Sequence, residues 1–125
     1  MLGQDAARLG EPGGAAGPMM ETFVLSELAR QLSWSEERVS LHHYRTKDGV
    51  EVDAVLEAAD GRVVGVEVKA GATVRSEDLV GLRHLANRLG DRFVAGFVLY
   101  TGQQTLPFGE RLGALPLEVL WRATP

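Results

Sequence analysis

Cysteine is missing from this 125-residue chain, so disulfide bonds and thiolate metal sites are excluded. Long apolar runs are missing as well, and none approaches the ~20 residues of a membrane-spanning helix. No basic segment followed by an apolar stretch marks a secretory signal. We therefore expect a cytoplasmic protein. Hydrophobic residues at 45% and charged residues at 24% are ordinary for one small globular domain.

Positive charge is also in short supply, with 13 Lys and Arg against 17 Asp and Glu and a formal net charge of -4. Binding to nucleic acid would therefore depend on a local basic patch and not on overall attraction. Two stretches offer such a patch, although each is also typical of a solvated surface of mixed charge. The first contains His42, His43, Arg45 and Lys47, and the second contains Arg75, Arg83, His84, Arg88 and Arg92.

Turn residues divide the chain into a flexible arm and one folded domain. Residues 1–20 are rich in Gly, Ala and Pro without hydrophobic periodicity, which predicts an arm or linker, and residues 21–125 then form the domain. The pattern predicts a helix, a three-stranded antiparallel meander, a second helix with Ser76 as its N-cap, a buried strand and a last strand. The expected bounds are 21–32 for the first helix, 41–45, 50–57 and 62–70 for the meander, 93–100 for the buried strand and 115–121 for the last strand, with a loop or short helix over 103–113.

The buried strand is apolar throughout and follows the meander after a helix. Such a strand–helix–strand crossover predicts parallel pairing. The expected architecture is an α/β fold with a mixed central sheet flanked by helices.

The apolar stretch 63–70 contains the pair Glu67 and Lys69. Alternation along a strand places these two side chains on one face, away from the valines between them. The pair is either a surface ion pair or part of a site that binds a metal ion and moves a proton.

A second carboxylate, Asp53, joins this pair if the hairpin before it has the right register. A three-residue loop over 59–61, with Gly61 in the left-handed conformation, places Asp53 opposite Glu67 with their Cβ atoms about 5 Å apart. A two-residue loop would pair Asp53 with Val68 and separate the carboxylates. Alternation in the same strand predicts one face with Val50, Val52, Ala54 and Leu56 and the other with Glu51, Asp53, Val55 and Glu57.

A third carboxylate, Glu21, heads the apolar stripe of the first helix, which continues through Val24, Leu25 and Leu28. Glu21 is either a first-turn residue that favours the helix dipole or a ligand that reaches a cation.

Two carboxylates about 5 Å apart repel each other by roughly 3 kcal/mol at an effective dielectric near 20. A hard divalent cation such as Mg²⁺ would relieve this repulsion, with the carbonyl of Val68 as a further oxygen ligand. Mg²⁺ would polarise a phosphoryl oxygen and lower the pKa of bound water, while Lys69 would position the attacking water or stabilise the developing charge. This is the chemistry of phosphodiester hydrolysis.

Glu21 on the first helix, Asp53 on the second strand and Glu67-x-Lys69 on the third resemble the ordered motif of the PD-(D/E)XK nuclease superfamily. The resemblance implies a restriction-endonuclease-like αβββαβ core, Mg²⁺ or Mn²⁺ as cofactor and nucleic acid as substrate. It implies Glu21, Asp53 and Glu67 as metal ligands and Lys69 as the catalytic lysine. Val52 stands where the superfamily usually has Pro.

A narrower resemblance covers residues 16–121 and depends on the segments 17–28, 44–53 and 66–69. These segments are similar to an uncharacterised domain found C-terminal to AAA-type ATPase modules in bacteria and archaea. The resemblance implies an ATPase module as partner, and this chain lacks the Gly-x-x-x-x-Gly-Lys-Ser/Thr phosphate loop of such a module. Three functions remain open: a Mg²⁺-dependent nuclease, a non-catalytic module that binds nucleic acid or protein, and a structural domain.

Overall fold

A six-stranded mixed sheet forms the centre of the protein and carries helices on both faces. The structure is a computed structural model that describes residues 16–33 and 38–122. Within those ranges, no helix is long and apolar enough to cross a membrane. The elements are α1 (Ala16–Leu32), β1 (Val39–Arg45), β2 (Glu51–Ala58), β3 (Val63–Lys69), a 3-10 turn (Ser76–Leu79), α2 (Val80–Leu89), a second 3-10 turn (Gly90–Arg92), β4 (Phe93–Tyr100), β5 (Leu106–Pro107), β6 (Leu112–Pro116) and α3 (Val119–Arg122).

The strands lie in the order β1-β2-β3-β4-β6-β5. β1, β2 and β3 form an antiparallel meander, whereas β3 pairs in parallel with β4 across the α2 crossover. β4 pairs in parallel with β6, and the short β5 pairs antiparallel with β6. The predicted α/β fold, with a mixed sheet flanked by helices, is therefore confirmed.

Two apolar clusters hold the helices against the sheet. On one face, Leu82 of α2 packs with Val98 of β4. On the other face, Val24 of α1 and Leu120 of α3 pack with Leu99 of β4. Val98 and Leu99 are neighbours in the chain and both are buried, so β4 is covered on both sides, which explains its continuous apolar sequence.

The first helix begins at Ala16, before the predicted start at Glu21. Gly17 and Pro18 therefore lie in the first turn of α1, where Pro is tolerated because the first N–H groups of a helix have no intrahelical acceptor. The rest of the predicted arm, residues 1–15, lies outside the described residues and stays a prediction.

The predicted last strand, 115–121, is wrong. β6 begins earlier, inside the predicted loop, and ends at Pro116, after which the chain turns into α3. The Leu117 N–H donates to the Tyr100 carbonyl at 2.8 Å, and the Leu120 N–H then closes a turn onto the Leu117 carbonyl at 3.2 Å. The turn places Leu120, only 6% exposed, in the apolar cluster beneath α1. Burial of this leucine is a gain that a continued strand would not provide.

A β-bulge interrupts β2 at the candidate site. The β1–β2 register changes between His42 and Tyr44, where β2 contains one additional residue around Asp53. The bulge breaks the alternation of side chains, because Val52 packs on the α2 side of the sheet and Ala54 packs on the α1 side. The predicted single face for Val52 and Ala54 is therefore wrong.

Candidate functional site

The β2–β3 hairpin has the register on which the candidate site depends. Gly61 adopts φ +93°, in the left-handed region, and its N–H donates to the Ala58 carbonyl at 2.9 Å. The Ala58 N–H donates to the Arg62 carbonyl at 2.9 Å, and the ladder pairs Ala54 with Val66. These contacts are those of the expected three-residue loop, in which Asp53 and Glu67 are the next opposed residues.

Beyond Ala54, hydrogen bonds from backbone to carboxylate replace the regular ladder. The Asp53 N–H donates to Glu67 Oε1 at 2.7 Å, and the Val68 N–H donates to Asp53 Oδ2 at 2.8 Å. Each carboxylate thus accepts a hydrogen bond from a backbone N–H of the other strand. In an unbroken ladder, a backbone carbonyl would accept that hydrogen bond. Asp53 and Glu67 therefore meet across the hairpin.

Glu21 reaches the same point from α1. Burial raises the pKa of Glu21, and the negative charge of Asp53 and a hydrogen bond with its side chain raise it further. A hydrogen bond between two carboxyl groups requires a proton on one of them. Because α1 begins at Ala16, Glu21 lies beyond the first turn, so its position is not explained by the helix dipole alone.

The Glu67 carboxyl is the centre of this acidic cluster. Burial raises the pKa of Glu67 to about 8, the charges of Asp53 and Glu21 also raise it, and the hydrogen bond from the Asp53 N–H partly opposes them. Glu67 therefore takes up a proton at a higher pH than an exposed glutamate does. Positive charge would favour the ionised form of this cluster, and the charge of His43 only partly opposes the rise in the Glu21 pKa.

Lys69 does not supply that charge. Its Nζ donates to Asp78 Oδ2 at 2.6 Å, so its ion-pair partner among the described residues is Asp78 and not Glu67. Asp78 Oδ2 also accepts the Arg75 N–H at 2.7 Å. Partial burial raises the pKa of Asp78, but the hydrogen bonds from Lys69 and Arg75 outweigh it and leave that pKa lowered.

Asp78 is a site residue that the strand pattern does not reveal, because it lies in the 3-10 turn before α2. The available signal was local, since an acid in the first turn of a predicted helix is typical of an N-terminal cap. The N-cap position is Arg75 and not the predicted Ser76, and the Asp78 carboxylate reaches back to the Arg75 N–H.

An open cleft of about 530 Å³ leads to Glu67 and Lys69. It lies between the ends of β2 and β3 and the start of α2. Three of the predicted site residues, Glu67, Val68 and Lys69, line this cleft, whereas Glu21 and Asp53 adjoin it through Glu67. The charged side chains of the lining are predominantly acidic: Asp48, Glu51, Glu67, Lys69, Glu77 and Asp78.

The oxygen donors of Glu21, Asp53 and Glu67 match the chemistry that a hard divalent cation prefers. Asp53 and Glu67 each use one carboxylate oxygen to accept a backbone N–H, and the Asp53 side chain is also hydrogen-bonded with Glu21. Among the described residues, no group of three or more His, Asp or Glu side chains is arranged to hold a metal ion. Coordination of Mg²⁺ or Mn²⁺ by these acids and the Val68 carbonyl, and catalysis by Lys69, therefore stay predictions.

Comparison with known families gives one match over most of the chain. The model of a domain of unknown function, DUF4143, matches residues 16–120, a range that contains every residue of the candidate site. No curated protein matches the chain. The expected membership in an uncharacterised family is confirmed, while the nuclease superfamily and the ATPase partner stay predictions. The chain belongs to the DUF4143 family of uncharacterised domains.

Proposed function

We propose that this domain is a divalent-metal-dependent phosphodiester hydrolase of the PD-(D/E)XK type that acts on nucleic acid. The observation that carries the proposal is the convergence of Glu21, Asp53 and Glu67 from three separate elements. Their burial and mutual repulsion raise the pKa of Glu67 to about 8, so the cluster destabilises the fold when it is ionised. Acids held together against their repulsion are typical of functional sites.

The three acids would hold Mg²⁺, with the Val68 carbonyl as a further ligand. When bound, Mg²⁺ polarises a phosphoryl oxygen and lowers the pKa of a bound water. Glu67 must release its proton for this, and so must the hydrogen-bonded pair of Glu21 and Asp53. Affinity for the cation should therefore rise with pH up to the Glu67 pKa of about 8.

Lys69 would act from the cleft. Its ammonium is held by Asp78 at 2.6 Å and lies two residues from Glu67 along β3. From there the Lys69 ammonium would donate a hydrogen bond that positions the attacking water or stabilises a phosphoryl oxygen as negative charge develops, while the water would lose its proton to solvent. Asp78 orients that ammonium and is a positioning residue in this scheme.

Cleavage of labelled oligonucleotides with Mg²⁺ or Mn²⁺ tests the proposal. Lys69→Ala should lower the cleavage rate by ~10²-fold or more, because it removes a proton donor of the transition state. The other lysine of the chain, Lys47, is exposed in a turn, and Lys47→Ala is the matched control with an expected rate near that of the parent.

Calorimetric titration with the same metals gives a second readout. The parent should bind the cation with release of protons, and Asp53→Asn should bind it ~10-fold or more weakly. A Lys69→Ala or Asp53→Asn protein that cleaves as fast as the parent would refute the hydrolase.

A second function has specific support in the same contacts. Lys69 is paired with Asp78, and both Asp53 and Glu67 accept hydrogen bonds from backbone N–H groups. Such contacts are expected of acids with a structural role. We therefore also propose a non-catalytic module that binds nucleic acid or protein beside an AAA-type ATPase. Binding of oligonucleotides without cleavage, and without a difference between parent and Asp53→Asn in the metal titration, would favour this module.

A further inference from the structure

A shallow groove beside α2 brings together basic residues from the two distant stretches that suggested a patch. Arg88 of α2 and Arg92 of the following 3-10 turn line it on one side, and His42 and Tyr44 of β1 line it on the other. Its volume is about 200 Å³. Neither stretch forms this surface alone, because the groove exists only where β1 and α2 meet.

Arg92 is fixed in orientation by the β2–β3 hairpin. Its Nε donates to the Gly61 carbonyl at 3.0 Å, and its Nη2 donates to Glu57 Oε2 at 3.2 Å. A guanidinium group has five N–H donors, so further donors remain for a ligand. Glu57 Oε1 also lies 3.2 Å from His42 Nε2 and thus holds both basic side chains in place.

The groove and the cleft differ in the sign of their charge. Glu57 is the one acidic side chain among the described residues that line the groove, against the guanidinium groups of Arg88 and Arg92. The cleft at Glu67 is lined mainly by acids, and the whole chain carries a net charge of -4. A polyanion should therefore be held in the groove, while the cleft accepts a phosphate only together with a cation.

Tyr44 adds an aromatic surface to the groove. Its hydroxyl lies 3.0 Å from His84 Nδ1, and the two ring centroids are 5.8 Å apart with an angle of 44° between the planes. The ring is half-buried against the apolar cluster on the α2 side, so its orientation beside the groove is fixed. A basic groove combined with an aromatic side chain is the arrangement that binds single strands with little sequence preference.

α2 connects the groove to the candidate site. Gly81 in its first turn lines the cleft, and Arg88 in its last turn lines the groove. His84 lies between them, and residues four apart advance about 6 Å along a helix. His84 and Arg88 therefore form a row that leads away from the cleft, with a spacing similar to that of phosphates along an extended strand.

We propose that this groove binds the phosphodiester backbone of single-stranded nucleic acid, with Arg88 and Arg92 on phosphates and Tyr44 against a base. The bound strand then continues into the cleft at Glu67 and Lys69. Delivery to the cleft rests on the proposed hydrolase, whereas binding in the groove requires neither metal nor cleavage.

Fluorescence anisotropy of a labelled oligothymidylate, measured in EDTA, tests binding in the absence of cleavage. Arg88→Glu should weaken binding about tenfold or more. Arg83→Glu changes the charge of the same helix equally, but Arg83 is bonded to Ser76 outside the groove, so this control should stay within about twofold of the parent. Arg88→Ala should reduce the slope of log affinity against log salt by about 0.7.

Two further variants probe the remaining parts of the groove. Glu57→Gln should tighten binding, because it removes a negative charge from the groove while its amide oxygen can still accept hydrogen bonds from His42 and Arg92. Tyr44→Leu should weaken binding by about fivefold or more, as expected when the stacking of one base is lost. Thermal melting followed by circular dichroism checks that each variant is folded.

Equal losses of affinity in Arg88→Glu and Arg83→Glu would overturn the proposal that the groove is the binding site, since only the net charge of the protein would then matter. Tighter binding of a duplex of equal length, or equal binding of polyglutamate, would overturn the single-strand assignment in favour of a duplex or an acidic protein. Failure of the hydrolase gives a different result. Binding that depends on Arg88, without cleavage by any form of the protein, would support nucleic-acid binding in the groove and refute the proposed hydrolase activity.

Discussion

Replacement of Glu67 by Gln should change how the stability of this protein depends on pH. In the folded parent, burial and the charge of Asp53 raise the Glu67 pKa from 4.5 to about 8. Between these two pH values the folded state keeps a proton at Glu67 that the unfolded chain has released. Because the folded state then binds more protons, the free energy of unfolding is highest below about pH 4.5 and falls as pH rises toward about 8.

The size of this effect has an upper limit set by the pKa difference, which corresponds to about 5 kcal/mol at about 1.4 kcal/mol per pKa unit. Glu67 is partly exposed, so screening by solvent reduces that figure. The repulsion from one carboxylate about 5 Å away is roughly 3 kcal/mol at an effective dielectric near 20. We therefore expect the parent to lose about 2–3 kcal/mol between about pH 5 and about pH 8.

Urea denaturation followed by circular dichroism across this pH range measures the loss. Glu67→Gln keeps the size of the side chain and cannot ionise, so its free energy of unfolding should change much less, with Glu21 as the main remaining acid. Asp60→Asn is the control, because an ordinary Asp pKa already lies below this range and the hydrogen bond from the Arg62 N–H lowers the pKa of Asp60 further. Parallel curves for the parent and Glu67→Gln would refute the reasoning, since Glu67 would then titrate like a surface acid.

Other substitutions test the packing around the site. Gly81→Ala should destabilise the protein by about 1–3 kcal/mol, because its Cβ would lie 2.1 Å from the Glu51 carbonyl oxygen. Gly17→Ala, at a first-turn α1 position with nothing within 4 Å, should instead stay within about 0.5 kcal/mol of the parent, and equal effects of the two in thermal melts would contradict the close contact of α2 with β2. Asp78→Asn should cost about 1–2 kcal/mol at neutral pH through loss of the ion pair with Lys69 and the charged cap. Because the Asp78 pKa is lowered on folding, this difference should disappear as pH falls through that pKa, and a difference that persists in acid denaturation curves would contradict the ion pair.

Features that depend on neighbouring residues could be predicted from the sequence. The Asp60-Gly61 turn determines the hairpin register, because Gly61 alone accepts the left-handed conformation without strain. A three-residue loop at this turn places Asp53 opposite Glu67, as the structure has it, although the sequence alone also allowed a two-residue loop. The parallel pairing of β4 was also predictable, since a strand covered on both faces has to be apolar throughout.

Features that depend on contacts between distant elements could not be predicted in the same way. The bulge at Asp53 is a property of the pairing between β1 and β2, and the sequence of β2 alone reads as uninterrupted alternation. The partner of Lys69 lies in a different element, so alternation along β3 could only suggest Glu67. α3 forms because Leu120 finds a buried position beneath α1, which local patterns do not show.

The bulge at Asp53 has a consequence for comparing or transplanting this site. The spacing from Asp53 to Glu67 reflects the turn, whereas the spacing from Tyr44 to Asp53 reflects the bulge. Deletion of a single residue between Tyr44 and Asp53 would leave the order of the motif residues unchanged but would turn Asp53 away from α1. A β2–β3 hairpin moved into another protein would likewise carry the acids without their arrangement, unless the neighbouring strand accommodated the extra residue. The arrangement of these acids therefore depends on all three strands of the meander, and the three have to be kept together.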